Sequence, residues 1–276
     1  MSHAGPDCDV DRIALVAIDL DGTLLQPDGT ITDRALDALA AARRAGIVIV
    51  AATGRPPMML GGVTDRIGHL LDYAVGSNGT MVAKFPGAEL MRLVGFPAAR
   101  ARSAIETLRA HDPAFGFALA TDTGFAHEPG FAERMPVDLG SEPVDDVLGL
   151  DGDEAYKLMV FHPAIGAHRL VEELPVILGE TLTVSHMGAD AAELGPADVD
   201  KGTGVAWLCE QIGVEADAVL AVGDDWNDLT MLAWAGWGVA VANAEVRVRE
   251  RADQVIGANT DDAVAEMIEA LVEQRI

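Results

Sequence analysis

Residues 13–23 read Ile13-Ala14-Leu15-Val16-Ala17-Ile18-Asp19-Leu20-Asp21-Gly22-Thr23. Six apolar residues run without a break, then stop on a carboxylate, a second carboxylate two positions on, and a glycine. A continuous apolar run of this length marks a strand buried on both faces, as parallel strands are. Asp21-Gly22 is the turn that ends it. Downstream, Thr32 can N-cap a helix reaching about Arg44, with Leu36, Leu39 and Ala42 or Arg43 at helical spacing. Gly46 follows as a C-terminal stop. Ile47 to Ala52 is a second buried strand, closing on Thr53-Gly54-Arg55-Pro56, and Tyr73 to Gly76 is a short third. The order β-α-β-α-β predicts an α/β fold, a doubly wound, Rossmann-like parallel sheet with right-handed crossovers.

The C-terminal third follows the same grammar. Val205, Leu208, Cys209 and Ile212 share one helix face, and Val219 to Val222 is a strand closing on Gly223-Asp224. A short helix over Leu229 to Trp234 leads to a strand over Gly238 to Val241, and a last helix buries Val264, Met267, Ile268 and Leu271. The middle differs. Short alternating segments, Phe115 to Thr121 and Lys157 to Phe161, lie among helical stretches at Ala98 to Ala110 and Ala167 to Leu174. The reading is a core formed by residues 1–95 and 189–276, interrupted by an inserted α+β cap domain over 96–188. Residues 1–12 read as a loose tail.

The chain has 276 residues, half of them hydrophobic, which suffices for a sizeable core. Lys+Arg is 19 against Asp+Glu 44, a formal charge of −25. That opposes a nucleic-acid surface and an anionic membrane surface, both of which want a basic footprint. It leaves room for a small anionic substrate, because a metal or a few cations can dominate locally. Only Cys8 and Cys209 occur, so no disulfide framework is expected and a reducing, cytoplasmic setting is. Asp7, Asp9 and Asp11 stand where a signal peptide wants positive charge. The longest apolar stretch, Ala45 to Ala52, is far short of a membrane span.

In open parallel sheets, ligands sit beyond the carboxyl ends of the strands. Those ends collect Asp19 and Asp21, Thr53-Gly54-Arg55, and Gly223-Asp224-Asp225-Trp226-Asn227-Asp228, while Lys201-Gly202 opens the helix before the last of these strands. Crowded carboxylates raise one another's pKa, and a hard divalent cation, Mg²⁺, resolves the repulsion. A neutralised carboxylate can attack phosphorus to give an aspartyl-phosphate. Lys201 would supply a compact charge to phosphate oxygens and Thr53 a hydroxyl donor. In extended chain the i, i+2 pair Asp19 and Asp21 points the same way, roughly 7 Å apart, which leaves space for a phosphoryl group between nucleophile and acid/base.

The run Asp19 to Leu25 resembles the first motif of haloacid dehalogenase (HAD) superfamily phosphatases. Thr53-Gly54-Arg55, Lys201-Gly202 and Gly223 to Asp228 are similar to its second, third and fourth, in order. The insert between the second and third motifs matches the place of the large α+β cap of the Cof-type subfamily. Ser77-Asn78-Gly79, Met231-Leu232 and Ala242-Asn243-Ala244 match that subfamily further. The resemblance implies Asp19 as nucleophile and Asp21 as acid/base. It also implies magnesium held by Asp19, the Asp21 carbonyl and Asp224, with Asp228 and Asn227 ordering that sphere.

The expected substrate is a small phosphorylated metabolite, with sugar or polyol phosphates leading and Arg55, Asn78 and Gly54 as contacts. A monomer or small homo-oligomer is expected, with no nucleic acid or membrane partner. Two alternatives share these residues. A phosphate-accepting receiver domain also combines clustered Asp, a Thr and a Lys, but lacks the Asp-x-Asp-Gly-Thr run and is about half this length. A phosphomutase would yield an isomer in place of free phosphate. His127, His162 and His186 read as surface or packing residues, and the tryptophans mostly as core, except Trp226, which lies inside the fourth motif and either packs there or walls the site.

Overall fold

The computed structural model describes residues 10–55, 65–131, 142–179, 181–187 and 190–275. The chain forms two compact units, Met1–Leu93 with Asp200–Ile276, and Val94–Val199.

Among the described residues the first unit holds an eight-stranded sheet. Its strands are β1 (Leu15–Ile18), β2 (Val48–Ala52), β3 (Tyr73–Gly76), β4 (Met81–Lys84), β5 (Glu89–Leu93), β12 (Val219–Gly223), β13 (Trp237–Ala240) and β14 (Gln254–Val255). Their order is β14-β13-β12-β1-β2-β3-β4-β5. β14 to β3 are parallel; β4 and β5 are added antiparallel at the edge. Every residue of β1 and β12 is buried, which explains their unbroken apolar sequence. Helix α1 (Asp33–Arg44) starts where expected: the Thr32 hydroxyl accepts the Ala35 N–H at 3.1 Å. Its buried face is Ala35, Ala38, Leu39 and Ala42. The second expected crossover falls largely on residues 56–64, outside the described residues. Residues 10–12 are not a tail. They form a 3₁₀ turn with Val10 buried and Arg12 2.5 Å from Asp217; the rest of that expected tail, residues 1–9, lies outside the described residues.

Among the described residues the second unit is an antiparallel sheet covered on one face by two helices, α2 (Ala98–His111) and α3 (Ala167–Leu178). Its strands are β6 (Phe96–Pro97), β7 (Gly116–Thr121), β8 (Gly124–His127), β9 (Glu154–Phe161), β10 (Leu182–Met187) and β11 (Ala191–Pro196). The order is β10-β11-β9-β7-β8, with β6 on β9. Ala101, Ile105 and Leu108 of α2 and Leu170 and Leu174 of α3 meet Phe117, Leu158, Val160 and Leu194 from the sheet. The insertion therefore ends later than residue 188. β11 pairs along its whole length with β10 and also with β9, so residues 190–199 fold with the insert and the core resumes at Asp200.

In the core, α4 (Lys201–Ile212) begins on a capping box, in which the Asp200 side chain accepts the Thr203 N–H and the Thr203 hydroxyl accepts the Asp200 N–H. Helix α5 (Leu229–Trp234) follows β12, α6 (Val246–Arg249) follows β13, and α7 (Ala263–Glu273) closes the chain. Its Val264, Met267, Ile268 and Leu271 are buried as expected. Among the described residues no helix is long and apolar enough to cross a membrane.

Candidate active site

The carboxyl ends of β1 and β12 lie side by side, since Ile18 pairs with Val222 and the Asp19 N–H donates to the Val222 carbonyl at 2.9 Å. Strand pairing therefore places Asp19 next to the loop that begins at Asp224. One carboxylate oxygen from each of Asp19, Asp224 and Asp228 lies within 4.8 Å of the other two. Lys201, at the first turn of α4 and 1% exposed, sits among them with Nζ 2.6 Å from Asp19 Oδ1 and 2.6 Å from Asp228 Oδ1. The N-terminus of α4 can come this close because its neighbours are small. The Gly79 backbone has φ +94, and a Cβ there would sit 1.9 Å from the Asp200 carbonyl oxygen.

Three negative groups around one ammonium leave an excess of charge in a buried place. Burial raises the Asp19 pKa well above the usual carboxylate range; Lys201 opposes this, and Asp228 and Asp224 add to it. Burial and the Asp228 charge push Asp224 up to about 7, against the Thr23 hydrogen bond and Lys201. Burial disfavours the Lys201 ammonium, but Asp19 and Asp228 outweigh it and raise its pKa above the ordinary value.

Asp228 is fully buried and acts as a brace. Oδ1 takes Lys201, while Oδ2 accepts the N–H groups of Asp224 at 2.9 Å and Asp225 at 3.0 Å. Both of its oxygens are engaged, so it shapes the loop that presents Asp224. Thr23 orients Asp224 from the other side, with Oγ1 2.7 Å from Asp224 Oδ1. Gly22, at φ +81, is required here: a Cβ on it would lie 2.2 Å from Asp224 Oδ2.

Asp21 does not join this cluster. The extended i, i+2 geometry fails because the chain leaves the strand at once, entering a wide turn over Leu20–Leu24 in which only Asp21 and Gly22 have non-helical dihedrals. The Asp21 side chain is 56% exposed and pairs with Arg55, whose Nε is 2.6 Å from Oδ2 and whose Nη2 contacts Oδ1. That hydrogen bond, with the charge of Asp21, raises the Arg55 pKa despite partial burial.

The remaining expected residues line the ends of β2 and β3. Thr53 is buried, and its hydroxyl accepts the Arg55 N–H at 3.1 Å. Asn78 is buried at φ 50 in the tight turn after β3, with Oδ1 accepting from Asn227 Nδ2 at 3.0 Å. Gly54 packs against both of these asparagines. Trp226, beside Asn227, carries the Arg247 guanidinium 5.0 Å from its ring centroid. His127, His162 and His186 pack inside that unit and are not surface groups: His127 lies near Phe125 and Phe131, His162 Nε2 is 3.2 Å from Asp112, and the His186 ring centroid is 4.2 Å from that of His168. Thr23, Asn243 and Asn259 had no assigned role in the sequence. Each makes its contact to residues more than 200 positions away, a spacing that no local pattern encodes.

Comparison with known proteins places the chain in a family. A family model described as haloacid dehalogenase-like hydrolase matches residues 16–268. YxeH of Bacillus subtilis is 29% identical over 273 residues, covering 94% of this chain and 98% of its own. Pyridoxal phosphate phosphatase YbhA of Escherichia coli is 28% identical over 270 residues, covering 92% and 97%. Among solved structures, BT1666 of Bacteroides thetaiotaomicron, described among the phosphatases of the haloalkanoate (HAD) enzyme superfamily, aligns with a TM-score of 0.79. It is 25% identical, over 98% of this chain and 99% of its own. The chain belongs to the haloacid dehalogenase-like hydrolase family and is a HAD-type phosphatase, a phosphoric monoester hydrolase.

Proposed function

We propose that the protein hydrolyses a small soluble phosphomonoester, with sugar or polyol phosphates leading, through a phosphorylated Asp19. The observation that carries this reading is the buried carboxylate cluster of Asp19, Asp224 and Asp228 bridged by Lys201. The cluster fits a hard divalent cation: one oxygen from each carboxylate is within 4.8 Å of the other two, and two of its carboxyls are held above their ordinary pKa by burial and mutual repulsion. Asp19, Asp224 and the Asp21 carbonyl would hold Mg²⁺, with Asp228 bracing the loop. Such an ion offsets the repulsion between carboxylate and phosphate when bound.

In the proposed reaction an Asp19 carboxylate oxygen attacks phosphorus, and the bond to the ester oxygen breaks. Asp21 gives that oxygen a proton, so the alcohol leaves. A water then attacks the acyl phosphate, losing its proton to Asp21, and inorganic phosphate and free Asp19 result. Lys201 and the Thr53 hydroxyl hold phosphate oxygens through both steps. In the structure Asp21 and Arg55 occupy each other. A substrate entering between them would leave Asp21 for the proton and Arg55, with Gly54 and Asn78, for the ester.

A formal charge of −25 supports a small substrate, because a polyanion would approach against the protein's own field. The relative YbhA is named for pyridoxal phosphate, a small phosphomonoester. The test is a phosphate-release screen over metabolite phosphates, phosphopeptides and DNA ends, with and without Mg²⁺. Repeated release from a sugar or polyol phosphate, and only with Mg²⁺, is the expected result. Preference for DNA ends or phosphopeptides would overturn the reading.

A further inference from the structure

The turn that carries Asp21 hangs on two asparagines from the far end of the chain. Asn243 Nδ2 donates to the Gly22 carbonyl, directly after Asp21, at 2.7 Å. Asn259 Nδ2 donates to the Leu25 carbonyl at 2.8 Å. The two are linked to each other, because Asn243 Oδ1 accepts the Asn259 backbone N–H at 2.9 Å. Gln26 Nε2 closes the set on the Asn259 carbonyl at 2.9 Å. Both ends of the segment 22–25 are thus tied to one hydrogen-bonded unit. Asn243 needs both ends of its amide: the nitrogen faces a carbonyl that can only accept, and the oxygen faces an N–H that can only donate.

This matters because, once a substrate takes Arg55 from Asp21, the carboxylate is held only through its turn. Its side chain is more than half exposed, so packing does not hold it. The turn closes through Leu24 N–H on Asp19 and Leu25 N–H on Leu20, bonds that bracket Asp21 without touching its own peptide groups. An acid must lie within hydrogen-bond reach of the oxygen it protonates, and small misplacements are costly in rate.

We propose that Asn243, braced by Asn259 and Gln26, is the positioning residue for the Asp21 carboxylate. The proposal rests on the reading of Asp21 as the acid in phosphoryl transfer. An Asn243→Ala change removes the donor to Gly22 at an exposed side chain, and the fold does not depend on that side chain for its core.

The test compares kcat/KM, which reports the steps through departure of the leaving group, for a sugar phosphate and for p-nitrophenyl phosphate. A sugar alkoxide needs the proton from Asp21, whereas nitrophenolate leaves without one. Asn243→Ala is expected to lower kcat/KM about 10- to 100-fold on the sugar phosphate, part of the roughly 10²–10⁴-fold an acid contributes, and less than about threefold on the aryl phosphate. Asn243→Asp, which keeps the acceptor and loses the donor, should behave the same way. In an Asp21→Asn background, Asn243→Ala should cost nothing further. Hydrogen exchange over residues 20–25 should quicken in Asn243→Ala.

Equal losses on both esters, or a full further loss in the Asp21→Asn background, would overturn the proposal. Unchanged exchange over the turn would overturn it as well. A wild-type enzyme inactive on every phosphomonoester would defeat the proposed function instead, and the exchange measurement judges the clamp without reference to activity.

Discussion

Each unit of this molecule buries a lysine against carboxylates, and the two arrangements differ in charge balance. In the core, Lys201 bridges Asp19 and Asp228 with Asp224 close by, one cation among three acids. In the inserted unit, Lys157 of β9 pairs with Glu193 of β11, and the Ser185 hydroxyl donates to Glu193 Oε1 at 3.2 Å. That pair is buried as deeply as many core residues, with Lys157 5% and Glu193 4% exposed, and it sets one cation against one carboxylate. A balanced buried pair is a structural element whose desolvation is offset by its own attraction. An unbalanced cluster carries mutual repulsion, which a bound cation can relieve, so the imbalance rather than the burial marks a site of chemistry.

The contrast breaks first at Asp19. Asp19→Asn removes the proposed nucleophile and should lower kcat roughly 10⁴-fold or more, while circular dichroism and the melting transition stay close to wild type. Retention of more than a small fraction of the rate would refute the covalent route.

Metal removal probes the same imbalance. Activity should vanish in excess chelator and return with Mg²⁺, and the melting temperature should rise with Mg²⁺ in the wild type. Calcium, which takes more ligands at longer distances, should restore little turnover. Full activity in chelator would show that the cluster needs no cation.

The cap pair should respond in the opposite manner. Lys157→Met leaves Glu193 buried without its cation, and breaking a buried pair from one side costs about 3–5 kcal/mol of stability. The kcat on p-nitrophenyl phosphate should change by less than about threefold, because no step of the proposed reaction uses Lys157. Denaturant melts and aryl-phosphate kinetics on the same preparation decide the matter; loss of turnover without loss of stability would erase the contrast.

The smallest effect is the sharpest in sign. The folded pKa of Asp224 is about 7 against an ordinary 3.8. Between those values the folded state keeps a proton that the unfolded state releases. Stability from this group therefore falls as pH rises through that window, and the full penalty stands above it. Asp224→Asn should stabilise the metal-free protein by about 1–3 kcal/mol at pH 8, and hardly at all below pH 4. Denaturation in chelator at the two pH values measures this, and an equal difference at both would exclude the repulsion as its cause.

Much of the core was legible because its signals are local. Unbroken apolar runs marked β1, β2 and β12, and Thr32 marked the start of α1. The acids at strand ends could be collected at one edge because parallel strands end on the same side. The insert was harder to delimit. Ala191–Pro196 contains no alternation and ends in Gly and Pro, so nothing local marks it as a strand of the insert; it is one because β9 and β10 lie on either side of it. The hairpin of β4 and β5 was missed for a similar reason, since its outer strand is largely exposed and earns its place only by pairing.

By itself, the order of residues determined which groups stand at the ends of the parallel strands, Asp19, Thr53, Asp224 and Asp228, and that Lys201 opens the helix before the last of them. Backbone period and steric handedness carry that information within about ten residues of chain. Tertiary structure alone decided what those groups do to one another. It set Asp21 against Arg55 instead of beside Asp19, and tied Gly22 and Leu25 to Asn243 and Asn259. Those outcomes depend on side-chain reach across 34 to 234 positions of sequence, where a hydrogen bond is won by proximity in the fold and leaves no periodic trace in the chain.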